Sequence, residues 1–196
     1  MVYSNHMPKK TSQLQVGLLG PKVPLIFSDG TAIYNKLKKR YIAHKIGYFI
    51  LAPSGAGKTH FIKKQKGADW IDGDQLWMVT KAHPKNEWWK ESIEKINEID
   101  QRCDVITQEA KNLGFWIMGA SNYWLRPDAI VLPRWATHKK YIKMREENEY
   151  DGGAKSDTLS QVVAHRRWIS KWKKSGVPRF LSVSEAVAYL KNKKMK

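Results

Sequence analysis

Short apolar runs alternate along the chain with stretches of helical period, and that alternation predicts strands covered by helices. Tyr48–Leu51 is an apolar run followed by a Pro/Ser/Gly-rich segment and reads as a buried strand. Lys58–Lys66 reads as a helix and Asp69–Asp72 as a second strand ending in acids. Phe115–Gly119, Ala129–Leu132 and Phe180–Val183 complete the strands. Trp89, Ile93, Ile96, Ile99, Cys103, Ile106, Ala110 and Leu113 step by three or four, which predicts a long helix over about 86–113 with Gly114 at its C-terminus. Thr137 is expected to cap a basic helix to about Glu149, before a DGG break. Ser156/Asp157 then cap a helix to Lys174, stopped by Gly176, and Ser184 caps a last one, EAVAYLK. Ahead of this, 1–24 reads as a polar arm and 28–46 as a helix with Ile33, Leu37, Tyr41 and Ile42 on one face. The expected organisation is a basic arm and helix over 1–46 and a main domain over 47–196. Its fold class is three-layer α/β with about five mainly parallel strands.

Composition narrows the class. The 196 residues are 42% hydrophobic, which excludes a disordered chain, and a single cysteine excludes a disulfide framework. Cys103, on the apolar stripe, reads as core. No apolar run has the length of a membrane span, and the opening MVYSNHMPKK lacks a long apolar core, so a soluble, intracellular protein is expected with no membrane partner. The net charge of +17 is unevenly placed: 1–46 carries +7, 160–196 carries +9, and the middle is almost neutral. Basic ends on a neutral body point to a polyanion, most often nucleic acid.

Residues 52–59, Ala-Pro-Ser-Gly-Ala-Gly-Lys-Thr, lie between an apolar strand and a helix and fit the phosphate-binding loop pattern, with Ala52 at the usual first Gly. Gly55 and Gly57 let the backbone curl so that amides from Ser54 to Thr59, Ala56 among them, face phosphate oxygens. The following helix adds its dipole. Lys58 supplies a cation to the β- and γ-phosphates and is expected to face solvent when the site is empty; the Thr59 hydroxyl suits Mg²⁺. At the end of strand two, Asp72-Gly73-Asp74 places two acids near a triphosphate. Asp74 suits the proton of an attacking hydroxyl, and Asp72 suits Mg²⁺ through water or contact with the acceptor; the alternative is a solvated Asp-Gly turn.

APSGAGKT followed some fifteen residues later by IDGD resembles the small P-loop kinases: gluconate, adenylylsulfate, shikimate and nucleoside monophosphate kinases and the kinase domain of polynucleotide kinases. The resemblance covers roughly 47–190. It implies ATP and Mg²⁺, an acceptor hydroxyl at Asp74, and a basic lid after strand four, matching residues 138–175. Arg145, Arg166 and Arg167 are the lid candidates, with Arg166 and Arg167 in a catalytic role and Arg145 toward substrate. Arg126, in the loop between strands three and four, either holds an acceptor phosphate or lies on the surface. Strand three, FWIMGAS, ends without an acid, which speaks against an ATPase motor. The connection from strand three to four is short for the order 2-3-1-4-5 usual in those kinases, so the strand order stays open.

Nine tryptophans are many for this length. Trp168 and Trp172, four apart among cations, either stack bases or form a buried face; Trp77, Trp88 and Trp89 either stack a nucleobase or pack the long helix; Trp116 reads as core. The expected activity is ATP-dependent phosphoryl transfer to a nucleotide or a polynucleotide 5′-hydroxyl. The rival is a nucleic-acid-binding or particle-associated structural protein built on a P-loop domain.

Overall fold

The computed structural model describes residues 47–66, 70–79, 91–122, 124–148 and 153–193. The arm and helix expected over 1–46, the start of the long helix with Trp88 and Trp89, and the end of the lysine tail lie outside the described residues. The elements are β1 (Tyr48–Leu51), α1 (Lys58–Lys63), β2 (Trp70–Asp72), α2 (Gly73–Val79), α3 (Ile93–Asn112), β3 (Trp116–Gly119), β4 (Ala129–Val131), α4 (Trp135–Glu147), α5 (Leu159–Ser170), β5 (Arg179–Phe180) and α6 (Val183–Lys193). Short 3₁₀-helices, Ser156–Thr158 and Lys171–Ser175, flank α5.

All strand pairs are parallel, in the order β2-β3-β1-β4-β5. Successive strand residues point to opposite faces, so an apolar run buried on both sides builds two cores at once. Phe49, Leu51, Ile71, Ile117 and Ile130 meet Ile106 and Ala110 of α3 and Trp168 and Ile169 of α5. Tyr48, Ile50, Met118, Ala129 and Val131 meet Val183, Ala186, Val187 and Leu190 of α6, with Phe61 and Ile62 of α1 beside them. The result is the expected three-layer α/β fold. Among the described residues no helix is long and apolar enough to cross a membrane.

The short link from β3 to β4 does accommodate a crossover of β1, and the register shows how. Gly119 and Ile130 both pair with Leu51, and Ala129 with Ile50. β4 therefore opens about one residue below the level at which β3 closes. The link crosses roughly 10 Å sideways but descends only about 3 Å, so it needs no helix. Helix α3 holds it in place. Asp104 Oδ2 accepts the amides of Trp124 at 2.6 Å and Leu125 at 3.1 Å, and the Asn122 side chain donates to Thr107 Oγ1 at 2.9 Å. At the far end the Asp128 carboxylate accepts the Phe49 amide at 2.8 Å and Lys111 Nζ at 2.9 Å.

Several boundaries move. α4 begins at Trp135 with no side-chain cap, so Thr137 lies inside the first turn. α6 begins at Val183, and Ser182, not Ser184, accepts the Glu185 amide at 3.2 Å. The helix α2 within 73–79 was not foreseen; Asp72 Oδ1 accepts the Asp74 amide at 3.3 Å and starts it immediately after the strand. Trp168 and Trp172 are 5% and 6% exposed, which decides between the two readings for the buried face: they are the side of α5 and its 3₁₀ extension that seals the sheet. Trp77 packs with Ile99 and Cys103 of α3, and Trp116 is core.

Candidate functional site

The loop after β1 leaves the sheet where the chain order switches direction, between β3 and β4, which is where parallel sheets open a crevice. Gly55 and Gly57 adopt φ of 80° and 90°, the left-handed conformation that turns the chain back on itself. Ala56 donates its amide to Pro53 O at 3.2 Å; among the described residues the amides of Gly55, Gly57 and Lys58 have no protein acceptor. They are available to anion oxygens. Lys58 departs from expectation. It does not face solvent: it is 8% exposed, and its ammonium donates to Ala52 O at 3.1 Å and Pro53 O at 3.0 Å. Without an anion in the loop, the nearest acceptors are the loop's own carbonyls. Burial lowers its pKa, opposed by the charges of Asp74 and Asp72.

The acid opposite Thr59 comes from β2, although β3 stands between β2 and β1. Thr59 Oγ1 donates to Asp72 Oδ2 at 2.6 Å. A glycine contact allows β2 to lie this close: a Cβ on Gly73 would sit 2.8 Å from Gly119 Cα and 2.9 Å from Met118 O. β3 ends in Gly119 and carries no competing acid there. Asp74, on the first turn of α2, is at the solvent rim; partial desolvation and the Asp72 carboxylate raise its pKa, while Lys58 and Arg145 pull it back. Hydroxyl and carboxylate oxygens are hard donors, so the Thr59–Asp72 pair fits Mg²⁺, an ion that takes few protein ligands and fills its shell with water and phosphate oxygens.

Helix α4 and the segment after it close over the loop, and Ser54 is their common anchor. Arg145 Nη1 donates to Ser54 Oγ at 3.1 Å, and the Ala154 amide donates to the same oxygen at 3.1 Å. The Ser54 carbonyl lies 2.8 Å from His138 Nε2. Gly153, at φ 81°, is required here, since a Cβ would come within 2.2 Å of Ser54 Oγ. Arg166 Nη1 lies 2.8 Å from His138 Nδ1; a guanidinium can only donate, so Nδ1 accepts and Nε2 carries the proton given to Ser54 O. Ser54, expected only as a phosphate ligand, is also the anchor of the closing helix, and His138 joins the site without being among the residues the motif predicts. The available signal was the spacing of His138, Ile142 and Arg145, one face of one helix after strand four.

Burial pushes His138 and His165 down to about 4, with nearby cations adding to the effect. His165 is fixed 2.7 Å from Ala120 O, beyond the end of β3. Both folded-state values lie below the ordinary 6.5, so the unfolded chain binds more protons between pH 6.5 and about 4. Stability present above pH 6.5 is lost as the pH falls through that window, each histidine contributing at most about 3 kcal/mol. Urea unfolding at pH 7.0, 5.5 and 4.5 should show a steeper acid loss in the parent than in a His138→Gln/His165→Gln variant. The difference isolates the histidines from Asp100, whose pKa, raised to about 8 by burial, acts with the opposite sign. Equal acid losses would show that these rings are not held neutral.

Of the candidate residues, the structure gathers Ser54, Gly55, Ala56, Gly57, Lys58, Thr59, Asp72, Asp74 and Arg145 at one end of the sheet. It does not bring Arg126 there. That side chain donates to Ser175 O at 2.9 Å, at the entry to β5 and hence toward the opposite end of the parallel sheet. Arg166 is held by His138 and by Pro133 O at 2.8 Å, so it reaches the loop only through the histidine. Arg167 points to solvent. No protein-family model matches the chain, and no curated protein matches its sequence.

Proposed function

We propose that this protein is an ATP-dependent phosphotransferase whose acceptor is a nucleotide or the 5′-hydroxyl of a polynucleotide. The observation that carries the reading is the convergence of Lys58, Thr59, Asp72 and Asp74 around a loop with unclaimed amides, beneath Arg145 of the closing helix. The loop amides and Lys58 bind the β- and γ-phosphates, for which the ammonium exchanges its carbonyl partners for phosphate oxygens. Thr59 and Asp72 are the residues for Mg²⁺, which on binding neutralises charge on the phosphates. Asp74 accepts the proton of the acceptor hydroxyl as that oxygen forms its bond to the γ-phosphorus and the bond to the β,γ-bridging oxygen breaks, releasing ADP. Arg145 adds a cation at the loop's open side as charge develops. The basic ends and the arginine-rich closing segment favour an anionic, base-bearing acceptor over a neutral one.

The test is transfer of labelled γ-phosphate from ATP to a panel of nucleosides, nucleoside monophosphates and 5′-hydroxyl oligonucleotides. Labelled product from one class supports the reading. ATP binding without transfer to any of them would leave the loop as a nucleotide-binding element of a structural nucleic-acid protein, and no ATP binding would overturn both.

A further inference from the structure

On the α5 side of the sheet, beyond the closing helix, lies an open groove of about 400 Å³. Its apolar wall is Leu132, Val163 and the indole of Trp135, and its other lining includes Arg166, Arg167 and Arg179. Three arginines therefore meet in one groove, and among the described residues no acid lines it. Arg167 and Arg179 are exposed, and among the described residues neither guanidinium has a hydrogen bond or ion pair. Arg166 stands over Trp135 with its Cζ 5.4 Å from the ring centroid, and Lys139 adds a fourth cation at 5.7 Å. Burial, with the neighbouring charge of Arg179 adding to it, lowers the Arg166 pKa. Structural arginines normally find carboxylates; Arg167 and Arg179 instead face solvent beside an aromatic wall, with Arg166 held behind them by His138 and Pro133 O.

We infer that this groove binds single-stranded nucleic acid, taking the phosphodiester on Arg167 and Arg179 and a base against Trp135. Arginine forks match phosphate oxygens in pairs, and guanidinium and indole planes both accept a stacked base. An acidic peptide would satisfy the cations and leave the aromatic wall unused. The groove is separate from the phosphate loop, and its occupancy requires no transfer chemistry.

The experiment measures anisotropy of a fluorescein-labelled oligo-dT 15-mer with the full chain across a salt series. Arg167→Glu/Arg179→Glu should weaken binding by about tenfold or more and lower the salt slope by about 1.4, the counterion release of two single-strand phosphate contacts. Lys193→Glu/Lys191→Glu, the same charge change on α6, should weaken it by no more than about twofold. Trp135→Leu should lose about tenfold and Trp135→Phe recover most of that loss. Circular dichroism confirms that each variant folds. Equal losses from the groove and the α6 pairs would overturn the site in favour of net charge alone. Competition by dTMP or polyglutamate at the same phosphate or carboxylate concentration as the oligonucleotide would overturn it as a strand site. ATP binding by the Arg167→Glu/Arg179→Glu variant is measured separately, so that failure of the groove and failure of the ATP site are told apart.

Discussion

Lys58→Met is expected to abolish ATP binding and to lower phosphoryl transfer by about 10²–10³-fold or more, with little change in the stability of the nucleotide-free protein. The two halves of that expectation have different causes. Binding is lost because Lys58 is the one lysine that the loop itself carries, placed directly after Gly57. Stability is kept because the ammonium is buried with only carbonyl partners, Ala52 O and Pro53 O, and burial lowers its pKa. A buried charge exchanged for an apolar side chain of similar size is commonly neutral or favourable, so a change within about 1 kcal/mol is expected. The sign of the pH effect follows from the lowered pKa. Below the ordinary 10.5 the unfolded chain holds the proton more tightly than the folded one, so Lys58 costs stability that is recovered as the pH rises through the interval between the folded value and 10.5. Lys58→Met should flatten that rise. Thermal unfolding with and without ATP reads both effects: a saturating nucleotide, at about 100 times its Kd, adds roughly 2.7 kcal/mol to the parent and nothing to the variant. A Lys58→Met protein stabilised by ATP as the parent is would refute the loop as the triphosphate site.

The parts of this site that were legible in the sequence are those whose physics is local. A four-residue apolar run followed by glycines at fixed spacing specifies a strand and a curled loop without help from the rest of the chain, and Tyr48–Leu51 with Gly55 and Gly57 appear as expected. What the sequence left open depends on distant partners. The short link from β3 to β4 works because Asp104 and Asn122 tie it to α3, and nothing in residues 120–128 announces that. Basic residues after strand four suggested lid arginines, but spacing does not say which way a guanidinium points. Only Arg145 meets the loop directly; Arg166 is intercepted by His138, and Arg126 is drawn to the Ser175 carbonyl. Lys58 was misjudged for the same reason. Its burial is set by the carbonyls of Ala52 and Pro53, which the curled loop brings around it.

Asp74→Asn is expected to lower transfer to the best acceptor by about 10²–10⁴-fold while leaving ATP affinity nearly unchanged. The separation follows from placement. Asp74 lies on α2 at the solvent rim, whereas the triphosphate is held by the loop after β1. Its raised pKa moves the acid limb of the rate profile upward from the ordinary aspartate value, because the base works only when ionised. Rate in the parent should therefore climb with pH through that limb, and the residual rate of Asp74→Asn should lack it. Asp72→Asn acts differently. Asp72 accepts both the Thr59 hydroxyl and the Asp74 amide, so its loss loosens the metal-side residue and the first turn of α2 together. Transfer should fall with a raised Mg²⁺ requirement, and added Mg²⁺ should restore part of it. Transfer by Asp74→Asn at the parent rate, with the parent pH profile, would reduce Asp74 to a turn residue and move the search for a base elsewhere, even with ATP bound as proposed.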